Sequence, residues 1–170
     1  MSSTADLDVV LPKGMLIGDA IVAKPDGIGV IDPASGMHFA DAPDASRADL
    51  DAAVAAAKAA FPAWSARSWT ERGDLLARYI EAIRADIDGL AALLVREQGK
   101  PFQKARSEIA SGLNFISGYR GMELEVEVIG DLATQRVEVH RTPLGVVGAI
   151  TAWNYPAMLA LWKIGPALIT

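Results

Sequence analysis

An asparagine beside a tryptophan, set between an apolar run and a proline, is the part of this chain best suited to chemistry. In Thr151-Ala152-Trp153-Asn154-Tyr155-Pro156 the Asn154 amide is an N–H donor of the kind that stabilises a developing oxyanion. Trp153 adds a large flat wall with one polar handle. Asparagine is also a good helix N-cap, and proline suits a first helical position. Read locally, capping is the ordinary role for Asn154 and oxyanion donation the sharper one. The flanking elements must place it. Gly145 to Thr151, with Val146, Val147 and Ile150, predicts a short strand buried on both faces, as in a parallel sheet. Met158, Leu161, Trp162, Leu168 and Ile169 predict a largely apolar helix after Pro156. Strand, polar turn and helix make half of a βαβ unit, and ligands gather at the carboxyl ends of such strands.

Elsewhere chemistry is sparse. The 170 residues contain no cysteine, so no thiol nucleophile is present. His38 and His140 are isolated, without a second ligand at metal-binding spacing. Glu108 falls on a predicted helix, where a solvated face is the default reading. Gly27-Ile28-Gly29 begins like a phosphate loop, but no third glycine and helix follow. The net charge of −5, with Lys and Arg scattered, argues against a nucleic-acid partner. The apolar runs are short and broken by Gly, Pro or Lys, so no membrane span is expected. Met1 to Val10 lacks a basic region and reads as no signal peptide. The absence of cysteine fits a reducing, cytoplasmic setting.

The remaining pattern predicts the frame. Residues 1–15 read as a flexible tail. Leu16–Val22 and Ile28–Ile31 read as strands joined into a hairpin by Lys24-Pro25-Asp26-Gly27, and Asp32-Pro33-Ala34-Ser35-Gly36 as a second turn. Ser46 to Phe61 should be helical, capped by Ser46 with Asp49 as an imperfect capping-box partner and stopped by Pro62. A second helix should start near Thr70, with Glu71 in its first turn. Its apolar positions from Leu75 to Leu94 recur at spacings of three and four. Gly89 should bend or divide it, and Gly99 should end it. Pro101 should open a third helix running to about Tyr119. Val126–Ile129 and Gln135–Arg141 alternate apolar with polar, as half-exposed strands do.

Pro143-Leu-Gly-Val-Val-Gly-Ala-Ile-Thr-Ala-Trp-Asn-Tyr-Pro156 followed by Trp162-Lys-Ile-Gly-Pro-Ala-Leu168 resembles the aldehyde dehydrogenase superfamily. So do Asp51 to Phe61, Trp64, Glu71-Arg72, the Gln98-Gly-Lys-Pro101 turn and Glu108, in the same order. The resemblance implies an α/β fold: a helix-rich amino-terminal part (16–125), a β arm used in subunit contacts (126–142), and the start of a Rossmann-like parallel sheet (143–170), incomplete. It also implies an NAD(P)-dependent oxidation of an aldehyde to an acid through a cysteine thiohemiacetal, in a homo-oligomer. Asn154 would be the oxyanion donor. Ile150, Thr151, Ala152 and Trp153 would line the nicotinamide-ribose side of an NAD or NADP site. Tyr155, Met158, Leu159 and Trp162 would line the substrate tunnel. Ala152 replaces the family's common proline, which should loosen the turn by up to about 1 kcal/mol. The family's cysteine and general-base glutamate would lie beyond Thr170. The chain alone is therefore expected to be inactive, the alternative being a non-catalytic fragment or partner-binding module. Its last helix is expected to leave Leu161, Trp162, Leu168 and Ile169 exposed.

Overall fold

Residues 14–24 and 26–170 are described by the structure, a computed structural model. The expected tail, apart from Gly14 and Met15, and the region read for a signal peptide lie outside them. Two short hairpins come first. β1 (Met15–Ile17) pairs antiparallel with β2 (Ala20–Val22), and β3 (Gly27–Ile31) pairs antiparallel with β4 (His38–Pro43). This corrects the predicted pairing of 16–22 with 28–31. Gly18, at φ 63°, lets the first run fold back on itself in a two-residue turn, with Leu16 opposite Ile21. Short turns of this kind win over longer connections. The second run is turned by Asp32–Gly36, where the Asp32 carboxylate accepts from the Ala34 N–H at 2.9 Å and its carbonyl accepts from Gly36 at 2.8 Å.

Four helices follow: α1 (Arg47–Ser65), α2 (Trp69–Ala85), α3 (Ile87–Gln98) and α4 (Phe102–Ser117). α1 opens with a complete capping box. The Ser46 hydroxyl accepts from the Asp49 N–H, and the Asp49 carboxylate accepts from the Ser46 N–H at 2.8 Å. Lys24, 2.6 Å away, together with the Ser46 hydroxyl and N–H, lowers the Asp49 pKa from 3.8 to about 2. Pro62 does not stop α1, contrary to expectation. The helix runs three residues past it to Ser65, its carbonyl accepting from Ala66 at 3.2 Å, although the ring removes the N–H that would have bonded the Lys58 carbonyl. α2 repeats the box with Ser68 and Glu71. The break between α2 and α3 falls at Asp86, and Gly89 lies inside α3. A Cβ at Gly89 would strike the Asp86 carboxylate, so the glycine makes room for the residue that divides the helices. Gly99 ends α3 at φ 72°, its N–H bonded to the Val95 carbonyl at 2.7 Å.

β5 (Glu127–Leu132) and β6 (Gln135–Val139) form a third antiparallel hairpin, and α5 (Pro156–Ile169) closes the chain. Val128, Ile129 and Leu132 are exposed on that hairpin. α4 is the hub, packing against α5, α3 and α2. Leu76, Ile80, Leu94, Ile109, Leu113, Ile116 and Leu161 form the core. Leu161 and Ile169 are therefore buried, correcting the expectation that they stand exposed, while Trp162 does remain partly exposed. Two glycines allow the α4–α5 approach. A Cβ at Gly112 would come 2.6 Å from Leu161 Cδ1, and one at Gly165 would come 2.6 Å from Ile116 Cγ2.

The class is mixed α/β, but every sheet among the described residues is a two-stranded antiparallel hairpin. The buried parallel strand expected over Gly145–Thr151 is not formed. No strand of the described residues lies beside it, and Leu144 and Ile150 are 96% and 88% exposed. A helix bonds its own backbone, whereas a strand needs a neighbour. No helix among the described residues is long and apolar enough to cross a membrane.

Candidate functional site

The first turn of α5 needs acceptors for its free N–H groups, and its own flank supplies none. Tyr155 occupies the N-cap position without a side-chain bond, and Asn154 does not cap the helix. The acceptor comes from α4. Glu108 Oε1 takes the Ala157 N–H at 3.0 Å and the Met158 N–H at 3.3 Å. A carboxylate at the positive end of a helix is favourable in charge as well as in bonding. Glu108 is only 3% exposed, which corrects its reading as a solvated surface residue.

The other carboxylate oxygen of Glu108 is bonded by Lys100 Nζ. Lys100 also donates to the Asn154 carbonyl at 3.1 Å, and its ammonium lies 5.0 Å from the Tyr155 ring centroid. Gln98 donates its amide to the Trp153 carbonyl. Three side chains reaching from the end of α3 and from α4 therefore hold successive backbone groups from Trp153 to Met158. The Asn154 side chain takes part in none of these bonds. Among the described residues it has no hydrogen-bond partner, so its amide is available as a donor.

The expected site residues divide in two. Ile150, Thr151, Ala152 and Trp153 lie on the open stretch before α5, all exposed. Tyr155, Met158, Leu159 and Trp162 lie on or beside the first two turns of α5. The Trp162 ring packs 5.0 Å from Phe115, which in turn meets Tyr119 edge-on at 5.4 Å. The far end of α5 is held as firmly. Trp64 Nε1 donates to the Leu168 carbonyl at 2.9 Å, and Arg72 Nε donates to the Ile169 carbonyl at 3.0 Å. Arg72, 6% exposed, also bonds the Arg67 carbonyl at 2.7 Å and stacks on Trp69. A groove of about 400 Å³ runs beside this end, between α1 residues such as Phe61 and Trp64 and the Pro143–Val147 stretch. It holds none of the expected site residues.

From the sequence, Gln98, Lys100 and Glu108 carry the family resemblance without a role at this turn, and Phe115 is given none. One signal for Glu108 was present. It falls on the stripe of Ala105, Ile109, Gly112 and Ile116, where a charge is out of place unless paired. Nothing local marked Lys100 or Gln98, because their partners lie over fifty residues away in sequence. His38 meets Asp41 and His140 meets Glu138, each through its Nε2. No group of three His, Asp or Glu able to hold a metal occurs among the described residues.

A helix-rich α/β unit in which Gln98, Lys100 and Glu108 hold the Asn154 turn fits the resemblance carried by the sequence. The sequence model of the aldehyde dehydrogenase family matches residues 21–170, and the chain belongs to that family. Solved structures agree. A succinate-semialdehyde dehydrogenase from Burkholderia pseudomallei is 34% identical with a TM-score of 0.81, over 90% of this chain and 33% of its own. An NADP dependent enzyme from E. coli is 33% identical with a TM-score of 0.83, over 92% and 34% respectively. PnpE, solved in complex with nicotinamide adenine dinucleotide, is 35% identical with a TM-score of 0.84, over 94% and 34%. The chain thus spans about a third of the length of these relatives.

Proposed function

We propose that these residues form the oxyanion-donor and nicotinamide-side part of a cytoplasmic, NAD(P)-dependent aldehyde dehydrogenase that oxidises an aldehyde to a carboxylic acid. The observation that carries this reading is the free Asn154 amide on a turn whose backbone is fixed by Gln98, Lys100 and Glu108. A donor held still before the reaction stabilises developing negative charge without reorganising, and this is where its catalytic value lies. Here that charge would grow on the aldehyde oxygen as a thiolate adds to form the thiohemiacetal.

The dinucleotide, when bound, supplies the hydride acceptor. Its fit rests on Ile150, Thr151, Ala152 and Trp153, a solvent-open apolar wall with one hydroxyl, suited to a flat ring and its ribose. Tyr155, Met158, Leu159 and Trp162 would line the aldehyde's path. The β5–β6 hairpin, with Val128, Ile129 and Leu132 exposed, is read as the arm that joins copies into a homo-oligomer.

A second reading has its own support. Val128, Ile129 and Leu132 stand exposed on the β5–β6 hairpin, which fits a partner-binding role that asks no chemistry of these residues. Purification from the source cells separates the two, by intact mass and by aldehyde-dependent formation of NADH or NADPH. Turnover that falls roughly 10²–10³-fold in Asn154→Ala, the usual cost of one oxyanion donor, is the expected result. No aldehyde-dependent turnover in the native protein leaves the partner-binding reading. Turnover untouched by the substitution removes Asn154 from the chemistry.

A further inference from the structure

We propose that Lys100 and Glu108 are positioning residues that hold the Trp153–Tyr155 turn so that the Asn154 amide is presented in a single orientation. The proposal rests on Asn154 being the oxyanion donor, and it concerns how that donor is aimed.

Glu108 has no side-chain exposure and Lys100 has 16%. Removing two charges from water costs about as much as their attraction returns, so an apolar pair of similar volume would hold α4 to α5 at least as well. What an apolar pair lacks is direction. Each Glu108 oxygen is aimed, one at the Ala157 and Met158 N–H groups and one at Lys100 Nζ. Lys100 Nζ is aimed in turn at the Asn154 carbonyl, the backbone of the residue that must be placed. The Tyr155 ring closes over the ammonium at 5.0 Å.

The base of the clamp is also stiff. Lys100 stands between Gly99, held at φ 72°, and Pro101, at φ −58°. A residue before proline has a restricted backbone, so the lysine starts from a nearly fixed point. Glu108 projects from the buried face of α4, one turn from Ala105 and Gly112, so it too is anchored in the core. Two anchored charges and two consecutive backbone segments form a continuous chain of bonds from the core to Asn154.

Hydrogen exchange on the 170-residue chain tests the holding, and kinetics on the protein from its source cells test the purpose. The variants are Glu108→Gln, Lys100→Arg and the double change Lys100→Met with Glu108→Leu, which keeps the contact apolar and the fold intact. In Glu108→Gln and the double variant, exchange across residues 153–159 should quicken about tenfold, as charge-assisted bonds to the Ala157 and Met158 amides are lost, with α2 unchanged. kcat should fall roughly 10- to 100-fold, the cost of a misplaced group, with KM little altered. The fall should vanish in an Asn154→Ala background, and Lys100→Arg, which keeps the charge beside Glu108, should lose little of kcat. Unchanged exchange in residues 153–159 overturns the proposal, as does an equal fall in kcat with and without Asn154. If Asn154→Ala itself leaves turnover intact, the donor reading fails, and the exchange result still decides whether the two residues hold the turn.

Discussion

Leu113 and Ile150 are both branched aliphatic residues, yet one is 2% exposed and the other 88%. The first belongs to the α2–α5 core and the second to the open stretch before α5. Apolar character therefore does not decide burial by itself. The helices satisfy their backbones internally and are free to press their stripes together. The stretch from Leu144 to Thr151 has no neighbouring strand among the described residues, and Leu144 and Ile150 stay in water. Buried apolar contact and backbone pairing are separate requirements, and only the helical layer meets both here.

Substitutions that treat the two regions alike test this contrast, the largest effect coming from the core. Leu113→Ala should destabilise the chain by about 2–5 kcal/mol, since the fully enclosed site cannot collapse around the lost atoms. Denaturant melts measure this, and a loss below about 1 kcal/mol would mean that the α4 face is not the centre of the core.

Gly112→Ala probes the same layer from the opposite direction. The added Cβ meets Leu161 Cδ1 at 2.6 Å and the Met158 backbone at 3.3 Å, so α5 must move or Leu161 must turn. Overpacking of about 1–3 kcal/mol is set against a gain of about 1 kcal/mol in helix propensity. A net loss is expected, with faster exchange in α5 than in α2. A stabilised variant would show that the two helices are free to part.

Smaller still is the contribution of Asp49 at the start of α1. Its folded pKa is about 2 against an ordinary 3.8, so its stabilisation is complete above pH 3.8 and fades as pH falls toward about 2. The difference in melting temperature between the wild type and Asp49→Asn should be constant near neutrality and close over that window. A difference that persists at pH 2 would point to packing rather than to the Lys24 and Ser46 contacts.

The smallest effect should come from the open stretch. Leu144→Ser should change stability by less than about 0.5 kcal/mol, because the side chain is already in water. A larger loss would break the contrast by showing that something covers this residue in solution.

How much of this was legible in the sequence depends on the range of the interaction concerned. Although the Ser68 cap goes unread, Ser46 with Asp49, Glu71, Gly99 and the 3.6-residue stripes mark most of the helix ends, because caps and stripes act within a turn or two. The Asp32–Gly36 turn was readable for the same reason. The partner of β3 was misassigned because the Gly18–Asp19 turn was passed over in favour of the more obvious Lys24–Gly27. Pro62 reads as a stop, but α1 continues to Ser65, so a proline near a helix end marks that end only to within a turn. Asn154 and its neighbours stand out through the family resemblance, whereas local reading alone favours the cap. The structure shows that the cap is made by Glu108 instead.

By itself, the sequence determined the helical stripes, the Ser46 cap and the Gly99 stop, since these depend on contacts a few residues apart, and the family resemblance marked the Trp153-Asn154 turn. Tertiary structure alone decided that Glu108, Lys100 and Gln98 would hold that turn, and that Trp64 and Arg72 would hold the far end of α5. Those bonds join residues separated by as many as 104 positions. No periodicity or spacing encodes them, because they exist only once α4 and α5 have packed through Gly112 and Gly165.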